Sequence, residues 1–186
     1  MQSRLNERLR ATLLTAGILI GLPLACSTQS RTEPPKATEP LMTRDGLVIP
    51  AGAHGVVSVP YVRVGMLMHL KGMQGHGKAV LRHRRPGTCL EIDLKFIAGS
   101  FDGNDIGVHD GGSVTMIIRS PRVARRLARG YEIVSDEIRV SERPAAAFAD
   151  IVLEEGLARH EGFILNPKGS WLFNIFRPLG RSVACR

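Results

Sequence analysis

The chain has 186 residues, 44% of them hydrophobic, and a formal net charge of +8. This length excludes a multidomain array but provides for one domain of ordinary size with a buried core. The basic balance comes from 25 Lys and Arg against 17 Asp and Glu, and its meaning depends on the compartment in which the protein works.

The first 25 residues have the organisation of an export signal. Arg4, Arg8 and Arg10 precede an uncharged apolar run over residues 11–22. A basic flank, a short apolar core and small residues before a break are typical of a secretory signal peptide. The run is shorter than the ~20 residues that cross a bilayer. We therefore predict a signal peptide over residues 1–25.

The end of this leader, Leu22-Pro23-Leu24-Ala25-Cys26, resembles the lipobox of bacterial lipoproteins. The resemblance implies cleavage before Cys26, lipidation of its thiol and a palmitate-type acyl chain on its amino group. Ser27 follows the cysteine, and by the same resemblance this implies an outer-membrane lipoprotein that faces the periplasm. Pro23 stands where the class has leucine, so cleavage after Ser27 is the alternative, which gives a soluble periplasmic or secreted protein.

Export changes the interpretation of charge and cysteines. Outside the inner membrane, nucleic acid is not the expected partner of a basic protein; lipid headgroups, envelope polymers or acidic proteins are, although a basic surface also simply aids solubility. Once Cys26 is lipidated or removed, Cys89 and Cys185 remain as a pair. In an oxidising compartment we expect them to form a disulfide bond, on the outside of the sheet because Cys89 has the parity of the polar face.

A Pro-, Ser- and Thr-rich stretch at 26–45 is typical of a flexible tether, which leaves residues 46–186 as the domain. Residues 56–70 are rich in valine and predict a strand, with Pro60 marking an edge or a break. Three glycines in 71–78 predict a turn, and Arg85-Pro86-Gly87-Thr88 predicts another. Alternation over 90–98 predicts a strand with one buried face.

The second half predicts a glycine-rich acidic loop at 99–112, a strand at 113–119 and then two helices. The first helix has Ser120 as N-cap, Pro121 at its first position and Gly130 after its end. The second spans residues 144–161 on the strength of a broad apolar arc. A hairpin over 163–176 closes the chain. These elements predict an α+β fold, with an antiparallel sheet (a meander plus the C-terminal hairpin) and two late helices.

The first helix carries the strongest candidate for a binding surface. Its four arginines recur at spacings of three and four residues, which places them on one face of a helix: Arg122, Arg125, Arg126 and Arg129. Arginine forks suit carboxylates and phosphates, so this face predicts an anionic partner. The alternative is a solvated face that nearby acids such as Asp136 and Glu137 offset.

Other chemistries find weaker support. Thioether and imidazole are soft ligands, and a copper or small-ligand site would draw on the set Met66, Met68, His69, Met73 and His76. A calcium loop would use Asp102, Asn104, Asp105 and Asp110, but Ile106 stands where the EF-hand pattern needs an oxygen ligand and Ser113 where it needs a glutamate. A hydrolase would place its site on the 99–112 loop, with His109, Asp110 and one serine of Ser100, Ser113 and Ser170. No nucleophile elbow, phosphate loop or zinc-protease motif is present, so we predict no cofactor and no metal.

The sequence therefore predicts a non-catalytic, lipid-anchored envelope protein. It would serve as an accessory or structural component of an envelope assembly and bind an anionic partner through the basic helix. A periplasmic hydrolase, or a metal- or small-ligand-binding periplasmic protein, is the alternative. The terminal stretch 170–176, apolar on both faces apart from Asn174, predicts either a buried strand or a contact with a partner.

Overall fold

The structure, a computed structural model, describes residues 40–43, 45–144, 148–167 and 179–186. Most of them are in strands. In chain order the strands are β1 (Leu41–Met42), β2 (Val48–Ile49), β3 (Gly55–Leu67), β4 (Leu70–Arg82), β5 (Thr88–Ser100), β6 (Ile106–Gly111), β7 (Val114–Ile118), β8 (Ile133–Val134), β9 (Val140–Ser141), β10 (Ile151–Glu155), β11 (Gly162–Asn166) and β12 (Arg181–Ala184). One helix, α1 (Pro121–Ala128), and a 3₁₀ turn at Ser135–Glu137 complete the described elements.

Ten of the strands form one sheet in the order β8-β11-β5-β4-β3-β7-β10-β9, with β12 beside β5 and β6 beside β3. The central strands β3, β4 and β5 have 13 residues each and pair antiparallel over nearly their whole length. At ~3.3 Å per residue they span about 40 Å. We call the end at Gly55, Arg82 and Thr88 the arginine end, and the end at Leu67, Leu70 and Ser100 the hairpin end.

The sheet buries apolar side chains on both faces at the arginine end. The inner face holds the main core, in which Phe96 and Ile92 are fully buried and α1 contributes Val123 and Leu127. The outer face holds a smaller cluster, which lies under the N-terminal segment and includes Ile49, Val56, Val80, Cys89 and Cys185. The strand predicted over 90–98 is confirmed as part of β5, and its apolar face is buried at Ile92, Leu94 and Phe96. Glu91, which belongs to the face predicted to be polar and wet, is buried as well.

The predicted turn over 71–78 is wrong, because these residues lie inside β4 and the chain turns at Met68 and His69 instead. Glycine is required at positions 75 and 77 because β3 approaches β4 closely there. β3 bulges between Ser58 and Tyr61, around Pro60. A Cβ on Gly77 would lie 2.3 Å from the carbonyl oxygen of Ser58, and one on Gly75 would lie 2.6 Å from that of Tyr61. Pro60, which has no N–H to donate, thus sits in a central strand where the ladder is interrupted.

The predicted second helix over 144–161 is also wrong. Residues 151–155 form β10, which pairs with β7 and, in parallel, with β9. Ile151 and Leu153 enter the main core, whereas Val152 enters the outer cluster. A strand buried on both faces gives an unbroken apolar run, and periodicity alone cannot distinguish such a run from a buried helix. Gly156, with a φ of +78°, follows the strand.

The predicted fold class is therefore corrected. The described chain is mostly β with one helix, and its sheet is mixed because β9 and β10 run parallel. The predicted loop at 99–112 shrinks to 101–105, since β5 continues to Ser100 and β6 begins at Ile106. The first arm of the predicted hairpin is β11, but β5 and β8 occupy its two sides. Residues 168–178, which hold most of the rest of that hairpin, lie outside the described residues.

The disulfide between Cys89 and Cys185 is confirmed and links positions 96 residues apart. Both cysteines are buried, at 0% and 3% exposure, so the bond lies within the cluster on the outer face. The expectation that it lies outside the core was therefore wrong. The parity of Cys89 had been assigned correctly; the face it shares is covered at this end by residues that include Leu47 and Val183. No helix in the described part of the chain is long and apolar enough to cross a membrane.

Removing the disulfide should lower stability strongly. In the chain-entropy model, a closed loop of about 100 residues contributes up to ~4.7 kcal/mol. We expect Cys89→Ala with Cys185→Ala to lower the free energy of unfolding by about 3–5 kcal/mol in urea titrations. Treating the unmodified protein with reductant should give a similar loss, and an unchanged denaturation midpoint in both experiments would contradict the expectation.

The two glycine environments in β4 should respond differently to a methyl group. Gly77→Ala forces the bulge of β3 to shift and should cost about 1–3 kcal/mol, as overpacking does. Gly72→Ala is the matched control, because nothing lies within 4 Å of the Cβ it would gain. Its effect should stay within about 0.5 kcal/mol. Equal effects in thermal unfolding would show that the bulge does not fill the space above Gly77.

Candidate functional site

Helix α1 begins and ends where the sequence predicts. Ser120 is its N-cap, Pro121 occupies the first turn, and Gly130 follows its end with a φ of +80°. Val123 and Leu127 point into the main core and are fully buried. The arginines therefore lie on the side of the helix that faces away from the core.

The four predicted arginines have different surroundings. Arg126 donates to a carboxylate oxygen of Glu137 at 2.9 Å, so the offset considered for this face does occur at one position. Arg122 lies 3.9 Å from Asp150, with 60% of its side chain exposed. Arg125 and Arg129 are exposed, and their side chains form no ion pair or hydrogen bond with another described residue.

The start of α1 borders a depression of about 300 Å³ that contains two further arginines, Arg119 and Arg139. Arg119 donates from Nη2 to the carbonyl oxygen of Pro144 at 2.9 Å, while its buried Nε has no hydrogen-bond partner among the described residues. Phe148, 79% exposed, forms part of the rim. Two guanidinium groups in one open depression can hold a carboxylate or a phosphate.

The carboxylate of Asp150 forms ion pairs with Arg139 and Arg122. Its carboxylate is 6% exposed, accepts from the backbone N–H of Arg139 at 3.0 Å and lies 3.3 Å from Nε of the same arginine. Burial raises the pKa of Asp150, but hydrogen bonds from Arg139 and from the Ser120 hydroxyl outweigh it and hold the pKa below its ordinary value. Its carbonyl oxygen also accepts from the N–H groups of Arg119 and Ser120, which fixes the beginning of the helix against β10.

The turn between β4 and β5 adds more positive charge at the same end of the sheet. Arg82 is structural: it donates to the carbonyl oxygens of Ala53 at 2.6 Å and Pro50 at 3.1 Å. Arg84 and Arg85 follow it and are exposed. Burial lowers the pKa of His54, and the charges of Arg82, at the end of β4, and Arg125, on α1, lower it further.

We call this group of side chains the arginine rim: Arg84, Arg85, Arg119, Arg122 and Arg125. The strand register brings these arginines to the same end of the sheet. Arg82 pairs with Cys89 between β4 and β5, Leu81 pairs with Gly55 between β4 and β3, and Gly55 pairs with Ile118 between β3 and β7. Neighbouring strands lie ~4.8 Å apart, so the 83–87 turn and the start of α1 are separated by about three strand spacings. Sequence analysis found the helix arginines but missed Arg84, Arg85 and Arg119, although the basic run at 82–85 is visible in the sequence.

A second polar cluster lies at the hairpin end, on the inner side of the sheet. Asp102 accepts from Ser100 and lies 3.1 Å from Nε2 of His160, and these contacts hold its pKa below the ordinary value. Glu161 accepts from Lys71 at 2.6 Å. A hydrolytic triad needs the imidazole beside the serine, but here the carboxylate stands between them.

The same cluster has the donor atoms for a cation, since oxygen and nitrogen atoms of Asp102, His160 and Glu161 lie within 4.8 Å of one another. The ammonium group of Lys71 already neutralises Glu161, which is 4% exposed, and Glu161 also accepts from the N–H of Ala158. The carboxylate most suited to a metal is thus engaged by a lysine. This arrangement stabilises the joint between β4, β5 and the loop before β11.

The other predicted sites are dispersed. His109 lies opposite Val64 on β6, away from Ser100, and Ser170 falls outside the described residues. The methionine and histidine set divides: Met73 is buried in the core, Met68 is exposed in the hairpin turn, and His76 lies on the outer face.

The calcium set also divides. Asp105 accepts from the N–H of Ile106, Asp110 lies opposite Arg63, and Asp102 turns toward His160. Comparison of the chain with protein-family models, with curated proteins and with solved structures finds no match.

Asp150 should make stability depend on pH. Its folded pKa lies below the ordinary 3.8, so its contribution is present above about pH 4 and disappears as the pH falls through the folded value. We expect Asp150→Asn to destabilise the protein at pH 7, since hydrogen bonds to charged groups contribute about 1.5–3 kcal/mol. The variant should also lose less stability than the unmodified protein between pH 5 and pH 2 in urea titrations.

Glu154→Gln is the matched control, because Glu154 is an exposed acid on β10, the strand that Asp150 immediately precedes. It should leave both the stability at neutral pH and its acid dependence unchanged. If Asp150→Asn followed the same acid profile as this control, Asp150 would not be the anchor of the helix start.

Proposed function

We propose that the protein is a non-catalytic envelope protein, held by lipid on Cys26, whose arginine rim binds the anionic surface beside its anchor. The leader and the lipobox-like Leu22–Cys26 support the anchor, and the disulfide accords with an oxidising compartment. Localisation at the outer membrane, facing the periplasm, follows from Ser27 and is part of the proposal. The single observation that carries the binding function is the meeting of the arginine rim and the N-terminal side of the domain at one end of the sheet.

Backbone contacts define that meeting. Met42 and Arg186 exchange two hydrogen bonds, of 2.6 and 2.9 Å, and Cys185 donates to the carbonyl oxygen of Gly87 at 2.9 Å. The chain therefore joins the domain directly beside the turn that bears Arg84 and Arg85. Cys26 precedes Pro40 by 14 positions, and a fully extended segment of that length reaches at most about 50 Å. An anchored domain would thus keep its arginine end within reach of the bilayer.

The charge at this end favours a phosphate-bearing surface. Asp150 is buried and already neutralises part of Arg122 and Arg139, whereas Arg84, Arg85 and Arg125 are exposed. Each arginine close to an anionic bilayer contributes ~1 kcal/mol, over roughly one Debye length. Several such residues give only weak binding from solution. A lipid anchor on a tether of limited length raises the effective concentration of the membrane surface around the domain, so that weak contacts suffice to hold the rim on it.

The hydrolase and metal alternatives find no comparable support among the described residues. The cluster that comes nearest, around Asp102, places a carboxylate between the serine and the imidazole and a lysine on the remaining acid. We therefore retain the binding function predicted from the helix. Its contact surface moves toward the beginning of α1 and the 83–87 turn, and away from Arg126, which Glu137 neutralises.

Charge reversal at the rim should abolish binding to anionic vesicles. The test uses the chain from residue 26 onward, exported behind a general signal peptide with Cys26→Ser so that it stays unlipidated. The triple variant Arg84→Glu, Arg85→Glu and Arg125→Glu should bind phosphatidylglycerol vesicles at least ~100-fold more weakly in cosedimentation, because three contributions of ~1 kcal/mol are lost. Binding of the unreversed protein should fall as salt rises and should vanish on phosphatidylcholine vesicles.

A matched triple reversal, Arg63→Glu, Lys95→Glu and Arg159→Glu, changes the net charge equally at positions outside the rim. It should retain most of the binding. If both triple variants lost vesicle binding equally, the effect would come from the overall net charge. That result would contradict binding through the arginine rim. The anchor itself is tested separately: labelling with radioactive palmitate should depend on Cys26 and be lost in Cys26→Ser.

A further inference from the structure

The outer face at the hairpin end bears a continuous row of exposed apolar side chains. Register aligns Ile106, Leu67 and Leu70 on three neighbouring strands, and Phe101 continues the row at the end of β5. Their exposures are 68%, 57%, 49% and 86% in that order, and Val108 in the adjacent row is 73% exposed. Single exposed apolar residues are ordinary, but a contiguous group of five marks an interaction surface.

The row borders a trough in the same face. Gly65, Gly72 and Gly99 pair in register across β3, β4 and β5, so no side chain rises from this line of the sheet. Nothing lies within 4 Å of a Cβ built on Gly65 or Gly72. Val108 stands at the β6 end of the trough, opposite Gly65. A flat channel therefore runs across the sheet, with the apolar row as its wall.

This surface is held by backbone contacts. Met68 in the hairpin turn has a φ of 55°, and it is the one described non-glycine residue with a positive value. Such a conformation costs free energy and persists only where neighbouring structure imposes it. The 101–105 loop supplies that structure: Asp105 accepts from the N–H of Met68 at 3.0 Å, and Gly103 donates to the carbonyl oxygen of His69 at 3.2 Å.

The row ends at a strand edge that offers unpaired backbone groups. Among the described residues β6 pairs only with β3. Antiparallel ladders alternate between bonded and non-bonded pairs, and the bond from Met68 to Asp105 fixes which pairs are bonded. Gly107 and His109 therefore direct their N–H and C=O groups toward β3. Val108 and Asp110 direct theirs outward, away from the sheet.

The charges beside this edge select among occupants. Asp105 precedes β6 and Asp110 lies near the other end of the strand; both are exposed, and the exposed Arg63 of β3 lies opposite Asp110. Arg63 offsets only one of the two carboxylates, so the edge keeps a negative balance. A second copy would bring two further carboxylates to it and an anionic bilayer would bring phosphates, and both are disfavoured by like charge. The N-terminal side of the domain also lies about 40 Å away, at the arginine end. The complementary occupant is an extended segment that is apolar in alternate positions and basic at its ends.

We propose that the outer edge of β6, which pairs with no strand in the described part of the chain, is a strand-addition site for an extended segment of a partner protein. The segment pairs its backbone with Val108 and Asp110, as strand addition requires. Its alternate apolar side chains extend the row beyond β6 and pack beside Ile106 and Val108, and its Lys or Arg residues meet Asp105 and Asp110. This site is separate from the arginine rim and does not depend on the lipid contact proposed there.

The test uses a defined probe and the same unlipidated chain with its disulfide formed. The probe is a fluorescent seven-residue peptide, Lys-Val-Thr-Val-Thr-Val-Lys, capped at both ends, and binding is measured by fluorescence anisotropy. Val108→Pro removes an N–H that points outward and leaves the bonds to β3 in place. We expect this variant to bind at least tenfold more weakly, whereas Val108→Thr, which keeps the N–H, should bind within about threefold of the unmodified protein.

Further arms separate the features of the site. Ile106→Ser should weaken binding, whereas Tyr131→Ser, which removes an exposed aromatic ring elsewhere, should not. Replacing both peptide lysines by glutamate should abolish binding. Hydrogen exchange should show new protection at Val108 and Asp110 in the complex and should confirm that each variant keeps its fold.

Three outcomes would overturn the proposal. The first is undiminished binding by Val108→Pro while exchange confirms an intact β3–β6 ladder. The second is self-association of the unmodified chain that blocks the probe, which would assign the edge to a second copy. The third is absence of probe binding by the unmodified chain even at millimolar peptide. Val108→Pro should leave vesicle binding through the arginine rim unchanged, so a failure of the peptide test and a failure of the vesicle test can be distinguished.

Discussion

The in-register pairing of β3, β4 and β5 is the constraint on which the rest of the molecule depends. Three 13-residue strands make a strip about 40 Å long, which is longer than the core that covers it. At the arginine end, α1 closes the inner face and the terminal segments close the outer one. At the hairpin end no described segment covers the outer face, because the strands continue past the described segments that cover its other end. The two candidate surfaces are thus consequences of strand length.

Local signals predicted those elements whose ends are marked by specific residues. Ser120, Pro121 and Gly130 fix the beginning and end of α1, because an N-cap, a proline in the first turn and a left-handed glycine act over one turn of chain. β5 was predictable because one face is buried and the other is polar along most of its length. The disulfide followed from counting the cysteines of a chain predicted to be exported, with no knowledge of the fold.

Elements determined by distant contacts could not be predicted in this way. The glycines at 75 and 77 suggested a turn, but they are required because the β3 bulge approaches them, and that bulge is nearly 20 residues away in sequence. Residues 151–153 form an unbroken apolar run because the two faces of β10 pack against two different clusters. Most residues of those clusters come from other strands, so the run alone could not be distinguished from part of a helix. Cys89 was assigned to the correct face, but the covering of that face comes from both ends of the domain.

The candidate site shows the same division. The helix arginines could be identified from spacing, whereas their partners could not, since Glu137 and Asp150 reach Arg126 and Arg122 from separate segments. These two acids decide which arginines keep exposed positive charge. Register then adds the 83–87 turn to the same end, and the resulting surface is larger than the helix and displaced from its middle.

The position of the disulfide gives the arginine end a mechanical role as well. A pull on the chain before Pro40 acts first on Met42 and Thr43, whose backbone partners are Arg186 and Cys185. Cys185 is bonded covalently to Cys89 in β5, so the load passes into the central strands and is not borne by hydrogen bonds at the tail alone. An anchored domain needs such a path, because two-residue strands such as β1 and β2 would otherwise be the first to open. The same covalent link holds the 83–87 turn, and with it Arg84 and Arg85, beside the incoming chain.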